Sequence, residues 1–66
     1  MNVRVNGRRR ELAEGTSVAE IVRALIDAER GVAVAVDGEV VPRSAWSATT
    51  LAEGQQIEVL RAVQGG

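Results

Sequence analysis

At 66 residues the chain is one domain, and a domain of this size buries only about 60% of the surface its unfolded form exposes, so its core must be thin. Apolar residues make up 45% of it but Trp46 is the sole aromatic, which leaves Val, Ala, Leu and Ile to fill a closely packed interior. Eight Arg stand against nine Asp plus Glu, a near balance that excludes a global attraction to nucleic acid or to an acidic membrane. No Cys, His or Lys occurs. That removes the thiolate nucleophile, the usual near-neutral acid and base, the common zinc ligands and any side-chain amine, and argues against an enzyme or a metal site made from this chain alone. The longest apolar run, Val32 to Val36, is far too short for a membrane span, and nothing resembles a signal peptide, so the reading is a soluble cytoplasmic protein.

"MNVRVNGRRREL" opens with alternating Met1, Val3 and Val5, then Asn6-Gly7, the dipeptide best suited to a type I′ turn, then a second extended run. The two-residue turn pairs Val5 with Arg8, Val3 with Arg10 and Met1 with Leu12. With Met1, Val3 and Val5 on the core, Arg8 and Arg10 lie at its margin, which fits an edge strand whose Arg stems lie along apolar surface. The same register makes Arg4 and Arg9 neighbours on the outer face, with Glu58 expected to relieve their repulsion. The "RRR" run reads as a solvated face, with an anion-binding patch as the alternative.

In "AEGTSVAEIVRALIDAERG" the period changes. Ser17 with Glu20 forms a capping-box pair, and Val18, Ile21, Val22, Leu25 and Ile26 recur at helical spacing on one stripe. That stripe is core rather than a groove for a partner helix, because no other helix is predicted to cover the strands. Gly31 is the expected helix stop, with Arg30 suited to the negative end of the helix dipole. "VAVAV" then predicts a strand, Asp37-Gly38 a second tight turn, and "EVV" a short strand stopped by Pro42, which cannot donate to a ladder. Arg43 to Gln56 reads as irregular, with Trp46 packed under a loop rather than meeting a partner. "IEVLRAV" is the last strand. Ile57 and Val59 face one way and Glu58 and Leu60 the other, so Leu60 is expected to be exposed.

A hairpin, a crossover helix and then further strands place the final strand beside the first and parallel to it. The predicted class is α+β with the β-grasp, ubiquitin-like layout: a mixed sheet of four to five strands covered on one face by one helix. Residues 1–66 form a single domain, with 64–66 as an expected mobile tail. Two terminal glycines pack against nothing, so Gly65 and Gly66 are either a frayed end or an extended tail free of side chains. At about 3.3 to 3.6 Å per residue, Gln64 to Gly66 would carry the terminal carbonyl roughly 10 Å beyond the body.

A β-grasp of this length ending in Gly-Gly resembles the ubiquitin-like sulfur carriers, and within them the ThiS family of thiamin biosynthesis. The resemblance rests on the "NG" turn, "EGTSVAEIVRAL", "VAVAVDGEVVPRSAW", "LAEGQQIEVL" and "VQGG", nearly the whole chain. It departs at Gln55, where many members carry an acidic residue after the glycine of the "EG" turn. The resemblance implies that an E1-like adenylyltransferase (ThiF), using ATP and Mg, adenylates the carboxylate of Gly66. Sulfur originating from a cysteine desulfurase then replaces AMP, and thiazole synthase (ThiG) accepts it from the resulting thiocarboxylate. A C-terminal carboxylate, with an ordinary pKa of ~3.5, is a poor electrophile at neutral pH and must be activated. The chain has no phosphate-binding GxxxxGK loop, so ATP is handled by the partner. Gly66 is then the adenylation and thiocarboxylate site, Gly65 and Gln64 its tail, and Leu60 and Val63 the partner-binding residues.

Rival readings are the small subunit of molybdopterin synthase, which is usually longer and lacks "VPRSAW", and a carrier feeding sulfur to cysteine, methionine or a tRNA base. Outside the class stand a β-grasp interaction module with an accidental Gly-Gly and a modifier attached to target lysines.

Overall fold

The computed structural model describes residues 1–26 and 31–61. The elements run β1 (Asn2–Val5), β2 (Arg8–Glu11), α1 (Val18–Leu25), β3 (Val32–Val36), β4 (Glu39–Val41), a 3-10 helix (Arg43–Ala48) and β5 (Gln56–Arg61). Both hairpin turns form because each offers two residues that accept positive φ: Asn6 at 51° with Gly7 at 83°, and Asp37 at 50° with Gly38 at 84°. The first fixes the expected register, with Val3 opposite Arg10, Arg4 opposite Arg9 and Val5 opposite Arg8.

The strands form one sheet in the order β2-β1-β5-β3-β4. β5 lies parallel to β1, with Arg4 opposite Gln56 and Val5 opposite Ile57, and antiparallel to β3 from Val36–Ile57 to Val32–Arg61. The last strand in sequence is therefore the middle strand in space. Alternation sends Val3, Val5, Val34, Val36, Ile57 and Val59 to one face, where all are buried. α1 covers that face, giving the β-grasp arrangement expected from the sequence. The edge strand β2 is exposed along its whole length.

α1 starts as the capping box requires: Ser17 Oγ accepts from Glu20 N at 3.2 Å and Glu20 Oε1 accepts from Ser17 N at 2.9 Å. Its end differs from expectation. α1 stops at Leu25, where Ile26 turns extended (φ −136°, ψ 134°) and its N–H closes the last turn on Val22 O. An extended backbone suits the β-branched Ile26, which stays half-buried against the core without another helical turn. Gly31 has a positive φ of 67° just before β3, so it serves the entry to that strand; Arg30 lies outside the described residues. The buried stripe is also shifted, with Ala19 inside and Leu25 at the rim.

The stretch after Pro42 is not irregular throughout. Arg43–Ala48 winds into a 3-10 helix that closes the core beside α1, and Trp46, only 2% exposed, is a core residue on that helix rather than packing beneath a loop. Its indole Nε1 donates to Val41 O at 2.9 Å, so the one polar atom of the ring is satisfied. Trp46 thus fills the space that a thin aliphatic core leaves open. No described helix is long and apolar enough to cross a membrane.

Candidate functional site

The face of the sheet opposite α1 is open. β5 brings Leu60 onto it, and Leu60 is 62% exposed, as the alternation of "IEVLRAV" predicts. Directly opposite Leu60 sits Ala33 of β3; two residues on, Ala35 lies opposite both Glu58 and Val40. Directly paired residues share a face, so Leu60, Ala33, Ala35 and the 76%-exposed Val40 form an apolar band across β5, β3 and β4. The two alanines keep the band low, leaving the two larger side chains standing above the sheet. The signal for Val40 was present in the sequence: the Asp37-Gly38 turn sets it opposite Ala35, on the same side as Leu60.

Beyond Glu58 the same face becomes basic. Arg4 and Arg9 are opposite one another on β1 and β2, as expected from the Asn6-Gly7 turn. Glu58 does not bridge them, and among the described residues no ion pair within 4.0 Å joins it to either arginine. The parallel register explains this: Arg4 is level with Gln56, which leaves Glu58 one same-face step further along β5. Exposed to water, the Arg4–Arg9 pair is screened. Arg4, Asn6, Gly7, Gln56, Glu58 and Leu60 together line a shallow depression beside the end of β5.

A second feature, the side chain of Asn6, was not legible as a site. Its Oδ1 accepts from Val59 N at 2.8 Å and its Nδ2 donates to Val59 O at 3.2 Å, bonds that link residues 53 apart in sequence. In the sequence alone Asn6 reads only as a turn former. Val63, Gln64, Gly65 and Gly66, the other expected functional residues, lie outside the described residues. β5 is the last described element before them in sequence, and its last described residue is Arg61.

Comparison with known proteins accords with this arrangement. The chain is 29% identical to the sulfur carrier protein ThiS of Escherichia coli (strain K12) over 66 residues, covering all of both chains. It superimposes on the crystal structure of a thiamine biosynthesis protein (ThiS) from Geobacter metallireducens with a TM-score of 0.84 and 38% identity, again covering all of both chains. The solution NMR structure of a thiamine biosynthesis protein from the same organism gives a TM-score of 0.80 and 39% identity, covering all of this chain and 88% of that one. The ThiS family model matches from residue 3, in β1, through the terminal Gly66. With the sheet order, the open face and the Gly-Gly end all falling inside that match, the chain belongs to the ThiS family.

Proposed function

We propose that this chain is a sulfur carrier for thiamin biosynthesis, with the carboxyl group of Gly66 as its cargo site. The observation that carries the reading is the family match, which extends through Gly66 on a chain whose last strand in sequence is the middle strand of the sheet. In the proposed cycle a Gly66 carboxylate oxygen attacks the α-phosphorus of ATP on an E1-like adenylyltransferase. Pyrophosphate leaves and an acyl-adenylate forms. A sulfur nucleophile, supplied from a cysteine desulfurase, then attacks the acyl carbon and expels AMP. With hydrosulfide as the simplest donor, the products are the thioacid and AMP, and the thioacid loses its proton at neutral pH. The thiocarboxylate is then nucleophilic enough to deliver sulfur to a thiazole synthase without a base from this chain.

ATP and its Mg belong to the activating enzyme in this scheme, and the carrier contributes a recognisable body and an unobstructed end. Gly65 and Gly66 lack Cβ atoms, so their backbone can enter a narrow channel. The band of Leu60, Ala33, Ala35 and Val40 is the docking surface, and Val63, outside the described residues, is a further partner-binding residue in this reading. A large leucine in water has no use in a lone monomer but gives an apolar anchor to a partner.

The deciding test is the intact mass of the chain after incubation with its adenylyltransferase, ATP and sulfide. A carrier gains the difference between one sulfur and one oxygen atom. An interaction module keeps its mass, and a modifier of lysines appears instead in high-mass conjugates. Rescue of a thiamin-requiring strain then separates the thiazole pathway from other sulfurated products. For the docking surface, Leu60→Glu is expected to leave the urea midpoint unchanged, because the side chain lies outside the core. It should raise KM for the carrier in the adenylation reaction about tenfold or more, the range of an interface anchor. Equal kinetics for Leu60→Glu and wild type would remove Leu60 from the interface.

A further inference from the structure

Along β5 the backbone polar groups alternate in direction. Gln56 O accepts from Asp37 N at 2.8 Å on the β3 side, whereas Gln55 O accepts from Arg4 N at 3.0 Å and Ile57 O from Asn6 N at 2.9 Å on the β1 side. Two residues further, the N–H and C=O of Val59 also turn to the β1 side. There β1 has already ended, since the chain leaves at Asn6-Gly7 to start β2. No backbone of β1 remains to pair with Val59.

The carboxamide of Asn6 takes that place. It offers one acceptor and one donor, as a peptide group does, and meets both Val59 groups at 2.8 and 3.2 Å. Only one amide orientation satisfies both bonds. The residue must also hold φ at 51°, a left-handed conformation that asparagine tolerates better than most side chains. Glycine would accept the same backbone but bring no amide. Aspartate would bring an acceptor and no donor, and would set a carboxylate against the Val59 carbonyl.

We infer that Asn6 is a positioning residue for sulfur loading: its carboxamide extends the β1–β5 ladder by one step and so fixes the line along which β5 delivers the C-terminal segment to the activating enzyme. Val59 is two residues before the last described residue of β5, on the flank where the edge of β1 is missing. With the amide absent, β5 beyond Ile57 is held only from the β3 side, through Ala35–Glu58, Val34–Val59, Ala33–Leu60 and Val32–Arg61. A strand tethered on one flank can swing about that flank, and a swing at Val59 moves Leu60 and Arg61, the last described residues before the C-terminal segment. Reaction centres are sensitive to displacements of about 1 Å, which can cost on the order of a hundredfold in rate.

This role rests on the sulfur-carrier reading, and the test separates the two. Asn6→Gly keeps the positive-φ turn and deletes the amide; Asn6→Asp keeps the turn and half the bracket, and also serves if the glycine variant folds poorly. Amide hydrogen exchange of Val59, measured by NMR on the free proteins, should quicken clearly in Asn6→Gly and less in Asn6→Asp, whose carboxylate still accepts from Val59 N. In adenylation assays with ATP and the E1-like enzyme, run well below the melting temperature, Asn6→Gly should lower kcat by about ten- to a hundredfold. KM for the carrier should stay near wild type because the apolar band is untouched, and Asn6→Asp should fall between. A purely structural role would lower the melting temperature and leave the kcat of the folded protein unchanged. That outcome, or a raised KM with unchanged kcat, overturns the positioning role alone. A wild-type chain that is not adenylated at all overturns the carrier reading and this role with it.

Discussion

Deleting Gly66, or adding one alanine after it, should abolish sulfur acquisition while leaving the melting temperature where it is. Among the described residues the core ends at Val59, so nothing known to hold the body together is removed. The chemistry should respond in the opposite way. Deletion withdraws the acyl carbon from the adenylation centre by roughly one residue length, about 3.5 Å, and extension carries the new carboxylate past it by a similar distance. Either displacement exceeds the ~1 Å that already costs on the order of a hundredfold. The added alanine also places a Cβ where glycine leaves the backbone bare. Thermal melts by circular dichroism and intact mass after a complete sulfuration reaction read the two effects separately. An extended chain converted at the wild-type rate, in a system free of carboxypeptidase, would show that the position of the terminus is not what the enzyme measures.

Trp46→Ala should have the reverse profile, ruinous to the body and neutral to the chemistry of the folded fraction. Trp46 is 2% exposed and the only aromatic in a core otherwise made of Val, Ala, Ile and Leu. Removing such a side chain costs about 3–5 kcal/mol, from lost burial and the cavity left behind. A domain of this length is stable by roughly 3–10 kcal/mol at the usual stability per residue. The variant should therefore lose roughly a third or more of that stability, and unfold where wild-type stability lies at the low end of the range, as urea titration followed by circular dichroism would show. Trp46→Phe keeps most of the bulk but leaves Val41 O without its indole donor, and should cost less, about 1–3 kcal/mol. A Trp46→Ala midpoint within experimental error of wild type would mean that the 3-10 helix does not seal the core.

What could be read from the sequence was what neighbours in sequence decide. Asn6-Gly7, Asp37-Gly38 and Ser17 with Glu20 each encode their geometry within four residues, and all three form as expected. The end of α1 could not be read this way. Whether Ile26 continues the helix depends on where the core lies, and Ile26 reaches it from an extended backbone. The 3-10 helix and the depth of Trp46 likewise depend on how that helix meets α1 at the core, which no local pattern announces. On the functional face, strand alternation exposed Leu60 in advance, and the same rule applied to "EVV" would have found Val40. The bracket between Asn6 and Val59 is a contact between residues 53 positions apart. Asn6 carried a sufficient local explanation as a turn former, which hid its second role.

The central place of β5 also has a consequence for how the molecule comes into being. β1–β2 and β3–β4 are two hairpins that share no strand pairing with each other, and β5 alone joins them. During synthesis both hairpins leave the ribosome before the strand that unites them. Contacts this distant in sequence must wait for their partner and slow folding relative to local ones. Premature release of the nascent chain before β5 would leave two hairpins with no strand pairing between them and no complete apolar band, since Leu60 belongs to β5. A partner that recognises that band would therefore discriminate against unfinished chains without any separate proofreading step.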